Sequence, residues 1–329
     1  MVVYPQIRTS ADLLKSTIRI EELIPFLQKQ KAKSCAIVNT KLYGLLPFMS
    51  QMKKAGIHPV VGLTIQLEVT EDFSLPLVLY AKNQQGYKNL LKISSSVAIR
   101  TQQTMPLRWL SAYSNGIICV IPAMDQQMVW LNQSNDVLLA TLKDSFREDL
   151  YIGISRTVES SVQEHLAVNM ATSNTIKIMA LHESLFLNKD DHFSFEVAQS
   201  IETGVKLSES SHQYSTQENY VLSVEEWHAQ FADQIQWLEQ SENVLLSCHV
   251  EVDTKQVYMP KFPLEQGQTA EQMLQQQVHN GLQHRLKCEK LPQQYERRML
   301  YELNIIQSMG YSDYFLIVAI LRLFTGMCK

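Results

Sequence analysis

Cysteine is scarce in this chain of 329 residues, with five thiols that are widely scattered and never spaced as CxxC. That excludes a reading as a disulfide framework or a zinc knuckle. Long hydrophobic runs are missing too: the longest, Tyr314 to Leu321, holds eight apolar residues, where a bilayer-spanning helix needs ~20. The opening MVVYPQIRTS has no apolar stretch of the secretory type. Nor is there a basic excess. Twenty-nine Lys and Arg face 33 Asp and Glu, a formal charge of −4, so global charge offers no argument for nucleic-acid binding. No Walker A loop, GxGxxG, GxSxG or HExxH occurs, which removes the commonest phosphate-loop, hydrolase and zinc-protease readings. The expectation is a soluble, cytoplasmic chain with no membrane partner. Its 45% hydrophobic and 19% charged content suffices for a sizeable core in one large domain or two.

Strand and helix signals alternate over the first two-thirds. Cys35 to Val38, His58 to Val69, Leu77 to Tyr80, Ile117 to Ile121, Tyr151 to Ile154 and Ile176 to Met179 are apolar runs of strand type. Between them lie helical spacings: Leu42, Leu45, Leu46, Met49 and Met52 ending at Gly56, then a helix after Gly86, then stretches near 132–145 and 160–171. A first helix carries Ile20, Leu23, Ile24 and Leu27 on one face, with Pro25 inside it as a kink or a lost hydrogen bond. This alternation predicts a parallel α/β layout, either a barrel or an open sheet. Beyond residue 205 the texture changes. Residues 208–219 read as a polar loop, 258–263 (YMPKFP) as extended chain, and Ser223–Glu226 and Thr269–Gln272 as capping boxes opening new helices. A last helix runs from Tyr295 to Met309 and stops at Gly310.

Few residues carry a chemical signal. His182 with Glu183 offers two ligands at a strand end, and Asp190, Asp191 and His192 resemble a hard-metal cluster. Asn188–Asp191 reads better as a polar turn entering a helix. Glu225 and Glu226 suit a helix N-terminus, Arg297 and Arg298 an exposed ion-paired face, and Cys35 and Cys119 inert core positions.

Several segments in order resemble the N-terminal part of the bacterial DNA polymerase III alpha subunit, a C-family replicative polymerase. They are IRIEELIPFL (18–27), LYGLLPF (42–48), KAGIHPVVG (54–62), LYAKNQQGYKNLLKIS (79–94), FLNKDD (186–191), YMPKF (258–262), GLQHR (281–285) and YERRMLYELNIIQSMGYSDYFLIV (295–318). The resemblance implies an α/β fold: a PHP-type distorted β/α barrel over 1–257, then the incomplete, mostly helical start of a polymerase palm over 258–329. In some members the PHP domain holds a metal cluster and hydrolyses phosphoesters as a 3′–5′ exonuclease.

The ligand positions of that family fall here on Gln6, Arg8, Asn39, Thr40, Thr64, Glu183 and Leu185, with His182 and Val38 beside them. A multi-metal phosphoesterase needs several carboxylates and imidazoles to offset its cations. Neutral donors, a cation and a leucine do not supply them, so the expectation is a degenerate site with no metal and no catalytic or cofactor-binding residue. The palm aspartates that would bind Mg²⁺ in a parent polymerase also lie outside the chain, which is expected to be truncated and unable to polymerise alone. Implied partners are the rest of the palm, fingers and thumb, with DNA and the sliding clamp reached through the parent enzyme. The alternatives are a stand-alone PHP-class phosphoesterase or a replisome interaction module. The apolar run 314–321 is expected to lack covering elements and to be poorly anchored.

Overall fold

The computed structural model describes residues 2–70, 73–123, 136–156, 161–207, 217–252, 259–264 and 267–326. The chain divides into two compact units, 1–252 and 253–329. The boundary expected at residue 257 and the loop at 208–216 lie outside the described residues.

The first unit is built on a nine-stranded sheet. Its strands are β1 (Val3–Ile7), β2 (Ser34–Ile37), β3 (His58–Glu68), β4 (Ser74–Ala81), β5 (Thr104–Pro106), β6 (Ile117–Pro122), β7 (Leu150–Ile154), β8 (Lys177–Ala180) and β9 (Glu183–Ser184). Their order is β8-β7-β6-β4-β3-β2-β1-β9, with β5 beside β3. The all-parallel layout read from strand–helix alternation needs correcting. β4 runs antiparallel to both β3 and β6, while the other pairs are parallel. An apolar run has no direction, and only the short turn between β3 and β4, too brief for a helical crossover, reverses the chain.

Both faces of the sheet are buried, and successive strand residues point to opposite faces. One face carries Tyr4, Ile7, Cys35, Ile37, Val61 and Leu63 into the large core shared with the flanking helices. The other carries Val3, Ala36, Val60, Val78, Tyr80, Ile118, Val120, Tyr151 and Met179 into a second core. A single helix from late in this unit, Ile235–Leu246, supplies Val244 and Leu245 to that second core and lies against β8, β1 and β2. It therefore bridges strands from opposite parts of the sheet order. The result is the curled, distorted barrel of α/β class.

Among the described residues, the helices of the first unit are α1 (Ile20–Lys29), α2 (Leu45–Lys54), α3 (Gln84–Ala98), α4 (Leu107–Ala112), α5 (Asp136–Phe146), α6 (Ser161–Asn174), α7 (His192–Thr203), α8 (Val224–Gln230) and α9 (Ile235–Leu246). α1 runs through Pro25, because the buried stripe Ile20, Leu23 and Leu27 outweighs one missing hydrogen bond. Gly86 lies in the first turn of α3 rather than before it. The helix starts at the Asn83 cap, whose side chain accepts from the N–H groups of Gln85 and Gly86 at 3.0 Å. The Ser223–Glu226 capping box forms as expected. Arg156, two residues past β7, is held on several sides: its guanidinium pairs with Glu164 and Asp233 and stacks on Phe231 and Trp237, 5.0 and 5.5 Å from the ring centres.

Among the described residues, the helices of the second unit are α10 (Ala270–Leu286), α11 (Gln293–Ser308) and α12 (Ser312–Gly326). Thr269 and Gln272 form the expected capping box of α10, and Arg298 pairs with Glu302 on the exposed face of α11 at 2.7 Å. A small core joins Phe262, Leu274, Leu291, Met299, Leu303 and Leu316, each contributing about 1.5–3 kcal/mol by burial. Asp313 accepts from the backbone N–H of Phe262 at 2.8 Å, tying the extended segment 259–264 to α12. The run 314–321 is thus divided. Leu316 is 1% exposed, whereas Tyr314, Phe315, Ile320 and Leu321 face outward. Of the described residues, no helix is long and apolar enough to cross a membrane.

Candidate functional site

β1, β2, β3 and β9 are parallel neighbours, so the segments leaving β1 and β2 reach one rim. Side chains far apart in sequence converge there, as at the carboxyl ends of other parallel sheets. Gln6, Arg8, Asn39, Thr40, Thr64, Glu183 and Leu185 all lie on or beside this rim. Gln6 stands in register with Glu183, and the Thr64 N–H donates to the Asn39 carbonyl at 3.0 Å.

Most donors at the rim are engaged within it. Asn39 is buried, accepts from the Thr9 N–H at 2.8 Å and donates to the Thr9 hydroxyl at 3.0 Å and the Tyr43 carbonyl at 3.2 Å. The Thr64 hydroxyl donates to the Val38 carbonyl at 2.7 Å. The N–H and hydroxyl of Thr40 donate to the two carboxylate oxygens of Asp12 at 2.6 and 2.7 Å. Arg8 places Nη2 2.8 Å from Oε1 of Glu183. Leu185 is buried, and its carbonyl accepts from the Ser16 hydroxyl and the Thr17 N–H at 2.8 and 3.0 Å. That position anchors the 9–19 loop through its backbone.

His182 and Glu183 do not point to a common centre. His182 is buried, with Nε2 2.7 Å from the Tyr220 carbonyl and its ring edge-on to Trp227. A carbonyl only accepts, so Nε2 carries the proton and Nδ1, which has no hydrogen-bond partner, presents a lone pair. Burial pushes its pKa down to about 4, against the opposing pull of the Tyr220 hydrogen bond and nearby carboxylates. Asp190, Asp191 and His192 form the helix entry read from sequence. Asp191 and Asn188 cap a short 3₁₀ turn, and His192 packs on Phe186. Of the described residues, no three His, Cys, Asp or Glu side chains are grouped to hold a metal ion. Cys35 and Cys119 are buried thiols with pKa values pushed upward by burial.

Over the rim opens a cavity of about 260 Å³ whose lining includes Arg8, Lys15, Thr40, Lys41, Thr64 and Gln66. Asp12, Lys15 and Lys41 were not legible in the sequence. They sit in ordinary-looking loop segments, and only the meeting of the 8–16 and 38–44 loops brings them together.

Comparison with known proteins places these features. Residues 6–157 match the model of the PHP domain, and residues 272–324 match that of the bacterial DNA polymerase III alpha NTPase domain. The chain is 28% identical over 326 residues to a DNA polymerase III subunit alpha of Bacillus subtilis, covering 96% of this chain and 29% of that protein. It is 29% identical to one from Staphylococcus epidermidis, covering 97% and 27%, and 24% identical to one from Haemophilus influenzae, covering 96% and 29%. The chain therefore spans less than a third of the length of these relatives.

Proposed function

We propose that the chain, whose residues 6–157 match the PHP domain and which is 28% identical to a DNA polymerase III subunit alpha, serves DNA replication as the N-terminal scaffold of such a polymerase. Its PHP centre is a structural remnant without a metal cluster. The observation that carries this reading is the Arg8–Glu183 pair at the ligand rim. A guanidinium stands where the family places a cation ligand, and it takes up the one carboxylate among the seven aligned positions. The remaining aligned groups are neutral, and Asn39, Thr40 and Thr64 are already hydrogen-bonded to the protein. A hard or borderline cation needs charged or imidazole donors to replace its water, so these residues fit neither a metal cluster nor the hydrolysis that such a cluster would support.

In this reading the two units contact the remainder of a polymerase — palm, fingers and thumb — and reach DNA and the sliding clamp only through it. Mg²⁺ belongs to the parent enzyme's nucleotidyl-transfer site, not to this chain. A stand-alone phosphoesterase would need the missing ligands, and a pure interaction module would not call for the second unit's similarity to the alpha subunit.

Elemental analysis of the purified chain, paired with degradation of a 3′-labelled oligonucleotide in Mn²⁺ or Zn²⁺, tests the proposal. The expected result is less than one equivalent of transition metal and no degradation. Two or more equivalents, with nuclease activity abolished by a chelator, would refute it.

A further inference from the structure

Charge is shared unevenly along the chain. Residues 23–124 carry eleven Lys and Arg against three Asp and Glu, whereas the remaining residues carry 18 against 30. The three consecutive helices α2, α3 and α4 contain no carboxylate, yet hold Lys53, Lys54, Lys88, Lys92 and Arg108. All three bury their apolar sides in the large core on one side of the sheet, and all five cations are exposed. Lys53 and Lys54 lie in the last turn of α2, where the helix dipole accounts for them. Lys88 is placed the other way. It lies near the start of α3, whose first turn holds no acidic residue, so helix stability does not account for it.

The cations of α3 and α4 are steadied without being neutralised. The Lys92 ammonium stands 5.5 Å from the ring centre of Tyr113, and the Arg108 guanidinium 5.9 Å from that of Trp109. An aromatic face attracts a cation through its quadrupole and leaves the net charge intact. Arg100 also covers Trp109, at 5.5 Å, but spends its charge on Glu68 at 2.6 Å. No carboxylate among the described residues pairs with Lys53, Lys54, Lys88, Lys92 or Arg108.

Aliphatic side chains stand between these cations. Lys88, Leu91, Lys92, Ser95 and Ile99 follow one another at three- and four-residue steps along the outward ridge of α3 and its C-cap. Leu91 is 43% exposed and Ile99 82%. A phosphate backbone has no use for such groups, and cations resting on Tyr113 and Trp109 shield those rings from stacking bases. A polypeptide with both carboxylates and apolar side chains uses the whole ridge. Permanent interfaces resemble a domain core cut in half, so a ridge of unneutralised Lys fits a partner that binds reversibly.

We propose that the α3–α4 ridge docks an acidic amphipathic helix of a separate polypeptide. Its carboxylates meet Lys88, Lys92 and Arg108, and its apolar side lies against Leu91 and Ile99. The basic excess of residues 23–124 steers that partner toward the ridge. The inference goes beyond the reading of the metal site and does not rest on it.

Fluorescence anisotropy of the full chain with labelled probes is the test. The probes are a designed amphipathic helix with Glu on one face and Leu on the other, the same peptide with Lys for Glu, the same with Ser for Leu, and a duplex DNA oligonucleotide. The acidic amphipathic peptide is expected to bind saturably, one per chain, and more weakly as salt rises. Lys88→Gln combined with Lys92→Gln should weaken it about fivefold, and Leu91→Ser should weaken it as well. The Lys peptide should not bind. Should the double variant fail to fold, Lys88→Gln alone, at an exposed position, repeats the measurement. Failure of the acidic peptide to bind, equal affinity for the Ser peptide, or affinity unchanged by the Lys substitutions overturns the proposal. Tighter binding of duplex DNA than of the acidic peptide also overturns it and assigns the ridge to nucleic acid. None of these outcomes depends on metal content, so failure here is distinguishable from failure of the metal-free reading.

Discussion

Arg8 and Glu183 meet at 2.8 Å where β1 and β9 run side by side. Their side chains are only 15% and 26% exposed, which separates this pair from an ordinary surface salt bridge. Removing one partner strands a largely desolvated charge. Arg8→Gln or Glu183→Gln alone should destabilise the chain by about 1.5–3 kcal/mol, while the double variant loses less than the two singles summed. Denaturant unfolding of the four proteins checks it, and strict additivity would refute the coupling.

His182 makes stability depend on pH. Its ordinary pKa is near 6.5 and burial lowers it to about 4, so between those values the unfolded chain binds a proton that the native state refuses. Stability therefore falls as pH falls through this window. The contribution of His182 reaches at most about 3 kcal/mol and is complete below pH 4. Comparing unfolding free energies at pH 7.5 and 4.5 should show a smaller drop for His182→Gln, which keeps a donor for Tyr220 but does not titrate. Identical drops would refute this.

Gly86 is required by close approach. A Cβ there would lie 1.8 Å from the carbonyl oxygen of Gly116 and 2.6 Å from its carbon, both backbone atoms that cannot swing away. Gly86→Ala should cost about 3 kcal/mol or more despite its better helix propensity. Thermal unfolding reads this directly. A variant as stable as the parent would show that α3 can lift off the turn before β6.

Within the second unit, Leu316 rather than the whole apolar run provides the anchor. Leu316→Ala should cost that unit about 2–5 kcal/mol and speed proteolysis of α11 and α12. Phe315→Ala, at a side of α12 that faces outward, should change stability by less than about 1 kcal/mol. Equal effects of the two substitutions would contradict the packing.

Much of the local structure is legible residue by residue. Ser223 and Thr269 cap their helices through three-residue spacings that any chain can read, and Gly56 takes φ of +75° just past α2, as the end of an apolar helical spacing demands. Arg298 with Glu302 is equally local. β1 was harder to see, because Pro5 interrupts VYPQI. The strand survives since its register with β2 skips between Tyr4 and Ile7. β9, two residues long, carries no pattern of its own and exists only because β1 is there to pair with.

The sequence by itself determined the element types over most of the first unit and the caps of its helices. Those features depend on side-chain chemistry and on spacings of two to four residues. Only the tertiary structure decided that β4 runs against its neighbours, that α9 crosses to join β8 with β1 and β2, and that Arg8, Lys15 and Lys41 line one cavity. Strand direction, helix placement and the gathering of distant charges arise from contacts between segments tens to hundreds of residues apart. No local period or spacing encodes them.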